Sequence, residues 1–464
     1  MVHRHVALLT YSALGSRNPS LQLAKNLVKL GVKVTFLTSV SAHGHIAKSH
    51  SIPQGLTILS FSDGYDDGVK LSDDLARFRS EFKNRSSKAL SHLFTTSTEE
   101  GYPVTVLVYT MGLSWAAEVA RGFNVPSAAL WIQPASVFNM YFHYFNDYGD
   151  AIRKICSDPS CSIQLPGLPT ITCRDLPTFL LPSNAFGFLV ADVKEQLDAL
   201  DEAAKPIVLV NTYDALETEA LRAIGKYNLL SIGPLVPSTS MDGRGPPNTS
   251  FGGNLTQKSM DYMEWLDSKP QSSVAYLSFG SVITLSKQQM EEIARGLMES
   301  HRPFLWVIRA LDLGENQEDK LSNRDELEKQ GLIVPWCSQV VVLSHPSLGC
   351  FVTHCGWNST LESLVSGVPA VGIPQFADQP TNAKLIEDTF KSGVRATPNE
   401  DGLVEGEEIK RCIELVMGDG EIGEKIRINA KKWKDLAGEA VKDGGSSNVN
   451  LRTFVDEIEE NLIS

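Results

Sequence analysis

"GCFVTHCGWNSTLESLVSG", Gly349–Gly367, carries a continuous apolar stretch into a short Cys-Gly break and then into a helix-forming segment. An apolar run without alternation marks a strand buried on both faces, and its passage through glycine into a helix marks a βα unit. Neighbouring stretches repeat the pattern: "SVAYLSFGS", "PFLWVIR", "GLIVPWC" and "PAVGIP" read as further strands divided by helical segments. In the first half, "HVALLTY", "VKVTFLTS", "VTVLVYT" and "PSAALWI" alternate with "SLQLAKNLVKLG" and "WAAEVARGF" in the same way. Each half is therefore expected to form a doubly wound α/β sheet.

A chain of 464 residues exceeds one ordinary core, and two domains of about 200 residues each are expected. Between Pro234 and Lys258 the sequence "PLVPSTSMDGRGPPNTSFGGNLTQK" is crowded with Gly, Pro, Ser and Asn and lacks periodicity. It reads as a linker. The expected division is a first Rossmann-like domain at 1–235, a linker at 236–258, a second Rossmann-like domain at 259–442, and an acidic amphipathic helix at 443–464 that could pack back on the first domain. Two facing domains of this kind would form a cleft at the carboxyl ends of their strands.

A net charge of −13 argues against a nucleic-acid partner, which requires a concentrated basic face. Seven cysteines without CxxC pairs or zinc spacing suggest reduced thiols. No run reads as a signal peptide or a membrane span. A cytoplasmic monomer is the expectation.

The residues around the opening stretch suggest a ligand. Backbone N–H groups and the helix dipole after Thr353 can receive an anion, and His354, Asn358 and Ser359 add polar groups to that cradle. Glu362 lies one turn further, placed for ribose hydroxyls; Trp336 offers a flat face to a base; Asp378 and Gln379 follow the next strand and suit a sugar. Taken singly, His354 reads as a structural histidine, Trp357 as a core aromatic and Asp378 as a helix cap. Together they point to a nucleotide-sugar site.

With Trp336, Gln339, His345, Thr353 to Ser359, Glu362, Gly367 to Pro369, Pro374 and Asp378-Gln379 all in step, the block resembles the signature box of plant family 1 UDP-glycosyltransferases. The whole chain is similar to them from end to end. The resemblance implies a GT-B fold of two facing Rossmann-like domains, UDP-glucose as co-substrate, no tightly bound cofactor, no metal, and an inverting displacement on a plant secondary metabolite. By the same resemblance Trp336 stacks on uracil, Gln339 and Glu362 hold ribose, and His354, Asn358, Ser359 and Ser281 bind phosphate. Trp357, Asp378 and Gln379 would contact the sugar, with Gln379 leaning towards glucose. His345 and Cys355 are left as structural.

The loop after the first strand departs from the pattern. Similar enzymes carry Gly-His-Ile-Asn-Pro after the first strand, where this chain has Gly15, Ser16, Arg17, Asn18 and Pro19. Ser16 stands in place of the acceptor base, and a hydroxyl without a partner is no base near neutral pH. Thr110 stands where an Asp usually orients that His. Ser12, Leu14 and Arg17 depart as well. Local signals place Asn18 as the cap and Pro19 as the first residue of the following helix. Arg17 would then face the positive end of a helix dipole at a cost of about 0.3–1 kcal/mol, which a nearby anion would offset. His45, in "AHGHIAKS", is expected in an exposed polar loop, and neither His143 nor His92 can be placed.

Three readings follow. A carboxylic acid acceptor, with a pKa of about 4, is already ionised and needs no base; Arg17 could grip it. Alternatively the fold now performs a cyclisation, isomerisation or elimination. A binding protein without turnover is the third.

Overall fold

Every residue of His5–Leu9 (β1) is buried, as an unbroken apolar strand in a parallel sheet requires. The computed structural model describes residues 4–49, 52–69, 73–158, 160–182, 187–237, 257–282, 284–309 and 321–463. These divide into two compact units. Unit 1 comprises Met1–Cys173, Phe179–Val236 and Glu439–Ser464; unit 2 comprises Arg174–Thr178 and Pro237–Gly438. The segment expected as a linker at 236–258 lies almost wholly outside the described residues.

Among the described residues the main sheet of unit 1 has seven strands: β1, Lys33–Ser39 (β2), Leu56–Phe61 (β3), Val106–Thr110 (β4), Ser127–Trp131 (β5), Ile207–Val210 (β6) and Asn228–Ser231 (β7). They pair in parallel in the order β3-β2-β1-β4-β5-β6-β7. The winding reverses between β1 and β4, and ligands of open α/β sheets bind at the carboxyl ends of strands where it does so.

Two local readings are corrected here. The first helix, α1, spans Leu14–Lys29, so Asn18 is not its cap and Pro19 lies inside it. The Ala13 carbonyl collects the N–H groups of Ser16 and Arg17 at 3.1 and 2.9 Å, which starts the helix as the chain leaves β1. Proline removes a single rung, and the Ser20 hydroxyl reinforces the Ser16 carbonyl next to it at 2.7 Å. A tight strand exit thus overrides the capping signal. The histidine segment is likewise a helix, Val40–Ser49 (α2), rather than a loop. Ala42 and Ile46, one turn apart, are buried and hold it down, while His45 is exposed.

Ala135–Phe145 (α3) and Asp214–Arg222 (α4) are joined by a buried carboxylate. Glu217, on α4, accepts the N–H groups of Ala135 and Ser136 at 3.0 and 2.9 Å and the Ser136 hydroxyl at 2.7 Å. This caps α3 from outside its own sequence.

Among the described residues unit 2 contains six strands: Val274–Ser278 (β8), Phe304–Val307 (β9), Leu332–Val334 (β10), Leu348–Thr353 (β11), Ala370–Gly372 (β12) and Gly393–Arg395 (β13). Their parallel order is β10-β9-β8-β11-β12-β13. Successive residues feed opposite layers: Ala275, Leu277, Cys350 and Val352 enter one core, and Val274, Tyr276 and Phe351 the other. Covering both faces explains why these strands read as continuous apolar runs. Trp357–Ser366 (α5) follows β11, and Gln379–Lys384 (α6) follows β12.

The last helix, Ser446–Ile463 (α7), belongs to unit 1. The Ser447 hydroxyl donates to the Gly233 carbonyl at 2.5 Å, Asn450 donates to the Ser231 carbonyl at 2.9 Å, and Phe454 and Val455 are buried.

Candidate active site

In unit 2 the winding reverses between β8 and β11, where Ser278 stands level with Thr353. The residues that follow, Gly280 on one side and His354 to Gly356 on the other, close around a single imidazole. A Cβ at Gly280 would lie 2.7 Å from His354 Nε2, and one at Gly356 would lie 2.6 Å from the same atom. Gly280 also has φ +77°, which favours glycine. His354 is pushed down to about 4, first by burial and then by the Arg309 charge, against an opposing hydrogen bond to the Ser278 backbone. Its ring is therefore neutral at pH 7 and brings one N–H but no charge.

Positive potential comes instead from the start of α5. Its N-cap is Gly356, which has no side chain to spend on the first-turn amides. Cys355, at φ +62°, sets the turn; its N–H donates to the Thr353 hydroxyl at 3.2 Å, and its carbonyl accepts Asn382 Nδ2 at 2.8 Å. Asn358 is half-buried, Ser359 buried and Ser281 exposed. Trp357 is buried, which leaves its backbone rather than its indole to meet a ligand.

Gln339, Ser359 and Glu362 form one network. Gln339 Nε2 donates to Ser359 Oγ at 2.8 Å and to Glu362 Oε2 at 2.6 Å, while the Tyr276 hydroxyl donates to Gln339 Oε1 at 3.2 Å. Burial raises the Glu362 carboxyl to about 7, opposed by the Gln339 hydrogen bond. Trp336 is 38% exposed, a large aromatic surface left uncovered near these residues in sequence.

At the start of α6, Asp378 accepts Asn382 Nδ2 at 2.8 Å, and burial raises its carboxyl to about 6. It occupies the N-cap position without capping the helix, so the plain structural reading of this residue does not describe it. Gln379 Oε1 accepts the N–H groups of Gln375 and Phe376, both at 2.9 Å. Those two bonds fix which end of the amide is oxygen and leave its NH₂ as the donor end.

In unit 1, Ser16 and Arg17 lie in the first turn after β1, and Thr110 ends β4, so all three adjoin the point of reversal. Among the described residues no hydrogen bond joins them, and the Ser16 hydroxyl has no partner that could activate it. Thr110 is fully buried and its Oγ1 is likewise without a partner among the described residues. Arg17 is 6% exposed, and its guanidinium makes no ion pair or hydrogen bond among the described residues; burial lowers its pKa. Close by in sequence, Tyr11 begins an aromatic cluster: its ring centre lies 4.7 Å from that of Phe82, which is 6.5 Å from Trp115.

His92 and His45 are exposed. His143 is 5% exposed, packs edge-on against Phe142 and Tyr148, and has its pKa lowered by burial. Asn139, one turn before it on α3, donates to the Ala220 carbonyl of α4, so this helix face packs inward. Sequence reasoning missed Tyr276, Asn382 and Gly280, the partner of Gly356 against His354. Gly280, in "SFGS" directly after a strand, offered a signal; the other positions offered none.

Residues 246–421 match the family model described as UDP-glucoronosyl and UDP-glucosyl transferase. Over 460 residues the chain is 56% identical to crocetin glucosyltransferase, chloroplastic, of Gardenia jasminoides, covering 98% of this chain and 97% of that protein. It is 55% identical to phloretin 4'-O-glucosyltransferase of Malus domestica, covering 99% and 98%. The chain belongs to the UDP-glycosyltransferase family. Among solved structures, Os79 from O. sativa in complex with UDP superposes with a TM-score of 0.83 at 32% identity, covering 98% of this chain and 100% of that one. This UDP-glycosyltransferase thus has the GT-B type of α/β fold, with two Rossmann-like parallel sheets. Among its described residues no helix is long and apolar enough to cross a membrane.

Proposed function

We propose that this UDP-glycosyltransferase moves glucose from UDP-glucose to the carboxylate of a small plant metabolite, forming a glucose ester. The observation that supports this reading is Arg17, a buried guanidinium without a counter-charge among the described residues. Desolvating an ion costs several kcal/mol unless something pairs with it. A carboxylate offers two oxygens in the geometry a guanidinium fits, and it arrives already ionised. The acceptor then needs no base, which is consistent with Ser16 in the place of histidine.

In the reaction one carboxylate oxygen attacks the anomeric carbon from the side opposite UDP. The new C–O bond forms as the bond to the β-phosphate oxygen breaks, its electron pair leaves with UDP, and the anomeric configuration inverts. No proton has to be removed from the acceptor. The first-turn amides of α5 receive the charge that grows on the diphosphate, with His354, Asn358, Ser359 and Ser281 beside them. Trp336 stacks on uracil, Gln339 and Glu362 hold the ribose hydroxyls, and Trp357, Asp378 and Gln379 address the glucose. Thr110 donates its hydroxyl to the carboxylate that Arg17 holds.

The test is incubation with UDP-glucose and matched panels of aromatic acids and phenols, read by mass spectrometry. Hexose adducts on the acids, cleaved by mild base as esters are, are expected. Arg17→Met should lower kcat/KM for acids by about tenfold to a hundredfold, the size of a charge-assisted hydrogen bond. Adducts confined to phenols would overturn the reading, as would conversion of the acids without UDP-glucose.

A further inference from the structure

Arg174–Thr178 is a five-residue strap that groups with unit 2, although the chain on either side of it groups with unit 1. Thr178 holds Ala377 at both backbone polar groups. Its N–H donates to the Ala377 carbonyl at 2.8 Å, and its hydroxyl accepts the Ala377 N–H at 2.9 Å. Ala377 has φ +58°, a left-handed conformation that a residue with a Cβ rarely takes unless its surroundings impose it. Asp378 and Gln379 come directly after it.

The strap is itself anchored. Asp175, 1% exposed, accepts Arg395 Nη1 at 2.7 Å through Oδ1, and its carbonyl accepts the Thr381 hydroxyl of α6 at 2.7 Å. Arg395 Nη2 donates to the Arg174 carbonyl, also at 2.7 Å. The strap is thus fixed to β13, to α6 and to the turn between β12 and α6. That turn aims two side chains: the Asp378 carboxylate held by Asn382, and the Gln379 amide whose oxygen is used by the Gln375 and Phe376 amides.

We infer that Thr178 is a positioning residue for sugar recognition, holding the left-handed turn at Ala377 that sets the direction of Asp378 and Gln379. This rests on the proposed assignment of those two residues to the glucose. The strap's hydrogen bonds described above go to Ala377, Thr381 and Arg395, and none of these is Trp336, Gln339, Ser359 or Glu362. Thr178 should therefore matter for the sugar and not for the nucleotide, a division that a merely structural residue would not produce.

The experiment compares the affinities of UDP and UDP-glucose by calorimetry for the full chain and for Thr178→Val, Thr178→Ser and Gln379→Ala. Thr178→Val keeps the shape and removes the acceptor for Ala377 N–H. UDP-glucose should bind about threefold to tenfold more weakly, the range of one neutral hydrogen bond, while UDP binds as before. Thr178→Ser keeps the hydroxyl and should match the parent. Discrimination between UDP-glucose and UDP-galactose in turnover should narrow in Thr178→Val and recover in Thr178→Ser. If Thr178→Val fails to fold, Thr178→Ala removes the same hydroxyl with less bulk and carries the same expectation. Equal weakening of UDP and UDP-glucose would make Thr178 a scaffold residue and overturn the inference. So would unchanged UDP-glucose binding in Thr178→Val while Gln379→Ala loses it, an outcome that leaves the sugar site intact. If Gln379→Ala leaves UDP-glucose binding unchanged, the sugar assignment itself fails and takes this inference with it.

Discussion

With Glu362 holding the ribose as proposed, donor binding should depend on pH in a direction that follows from the surroundings of this carboxyl. Burial raises its carboxyl to about 7, so near pH 7 roughly half of the empty sites carry a proton there. Ribose hydroxyls donating to this carboxylate favour its charged form and lower its pKa in the complex. Binding then releases a proton, and affinity rises with pH. The affinity is complete above the raised value and is lost as pH falls through it. Each unit by which the ribose lowers the pKa is worth about 1.4 kcal/mol, or about tenfold in affinity at pH below both values. A one-unit drop predicts UDP-glucose binding about tenfold weaker at about pH 5 than at about pH 8. UDP-glucose is the suitable ligand because its doubly esterified diphosphate exchanges no proton in this range. Calorimetry near pH 7 in buffers of different ionisation enthalpy should register a release of up to about half a proton per site. Asp378, raised to about 6, adds a weaker trend of the same sign, and His354, at about 4, stays neutral throughout. Glu362→Gln is therefore the control: it should bind UDP-glucose with a flatter pH profile and release less proton. A profile in Glu362→Gln as steep as that of the parent would refute the reasoning.

Three further perturbations have definite outcomes. Arg17→Met exchanges a buried charge without a partner among the described residues for an apolar chain of similar length, and should raise stability by about 1–3 kcal/mol; a lower melting temperature would mean that the guanidinium is paired in the folded protein. Gly356→Ala sets a methyl 2.6 Å from His354 Nε2 at a φ of −57° that any residue accepts. Overpacking of about 1–3 kcal/mol and a loss of UDP affinity of about tenfold are expected, and unchanged titration calorimetry would show that the imidazole yields freely. Glu217→Ala removes three hydrogen bonds to the start of α3. Denaturant unfolding should report a loss of about 2–4 kcal/mol, the range for a cap whose buried amides are left unsatisfied, and a loss near zero would mean that water replaces the carboxylate.

Unbroken apolar strands alternating with amphipathic helices were sufficient for the sequence alone to determine two doubly wound α/β units, because burial on both faces writes itself into every strand residue. The residues proposed for the donor could be picked out for a related reason: Trp336, Gln339, His354, Ser359 and Glu362 fall within a short stretch whose spacing the β11–α5 passage sets. Capping signals at Asn18 and Pro19 misled, because the exit from β1 and the Ala13 carbonyl fix where α1 starts. Only the tertiary structure decided what the site residues can do. Burial makes His354 neutral and brings Glu362 to about 7, and pairing of β8 with β11 places Gly280 against a histidine far along the chain. The same holds for Arg17, whose burial is a property of the packed unit, and for Thr178, which meets Ala377 across 199 positions of sequence. Local pattern encodes elements and their order, whereas desolvation and long-range hydrogen bonds exist only once those elements have packed.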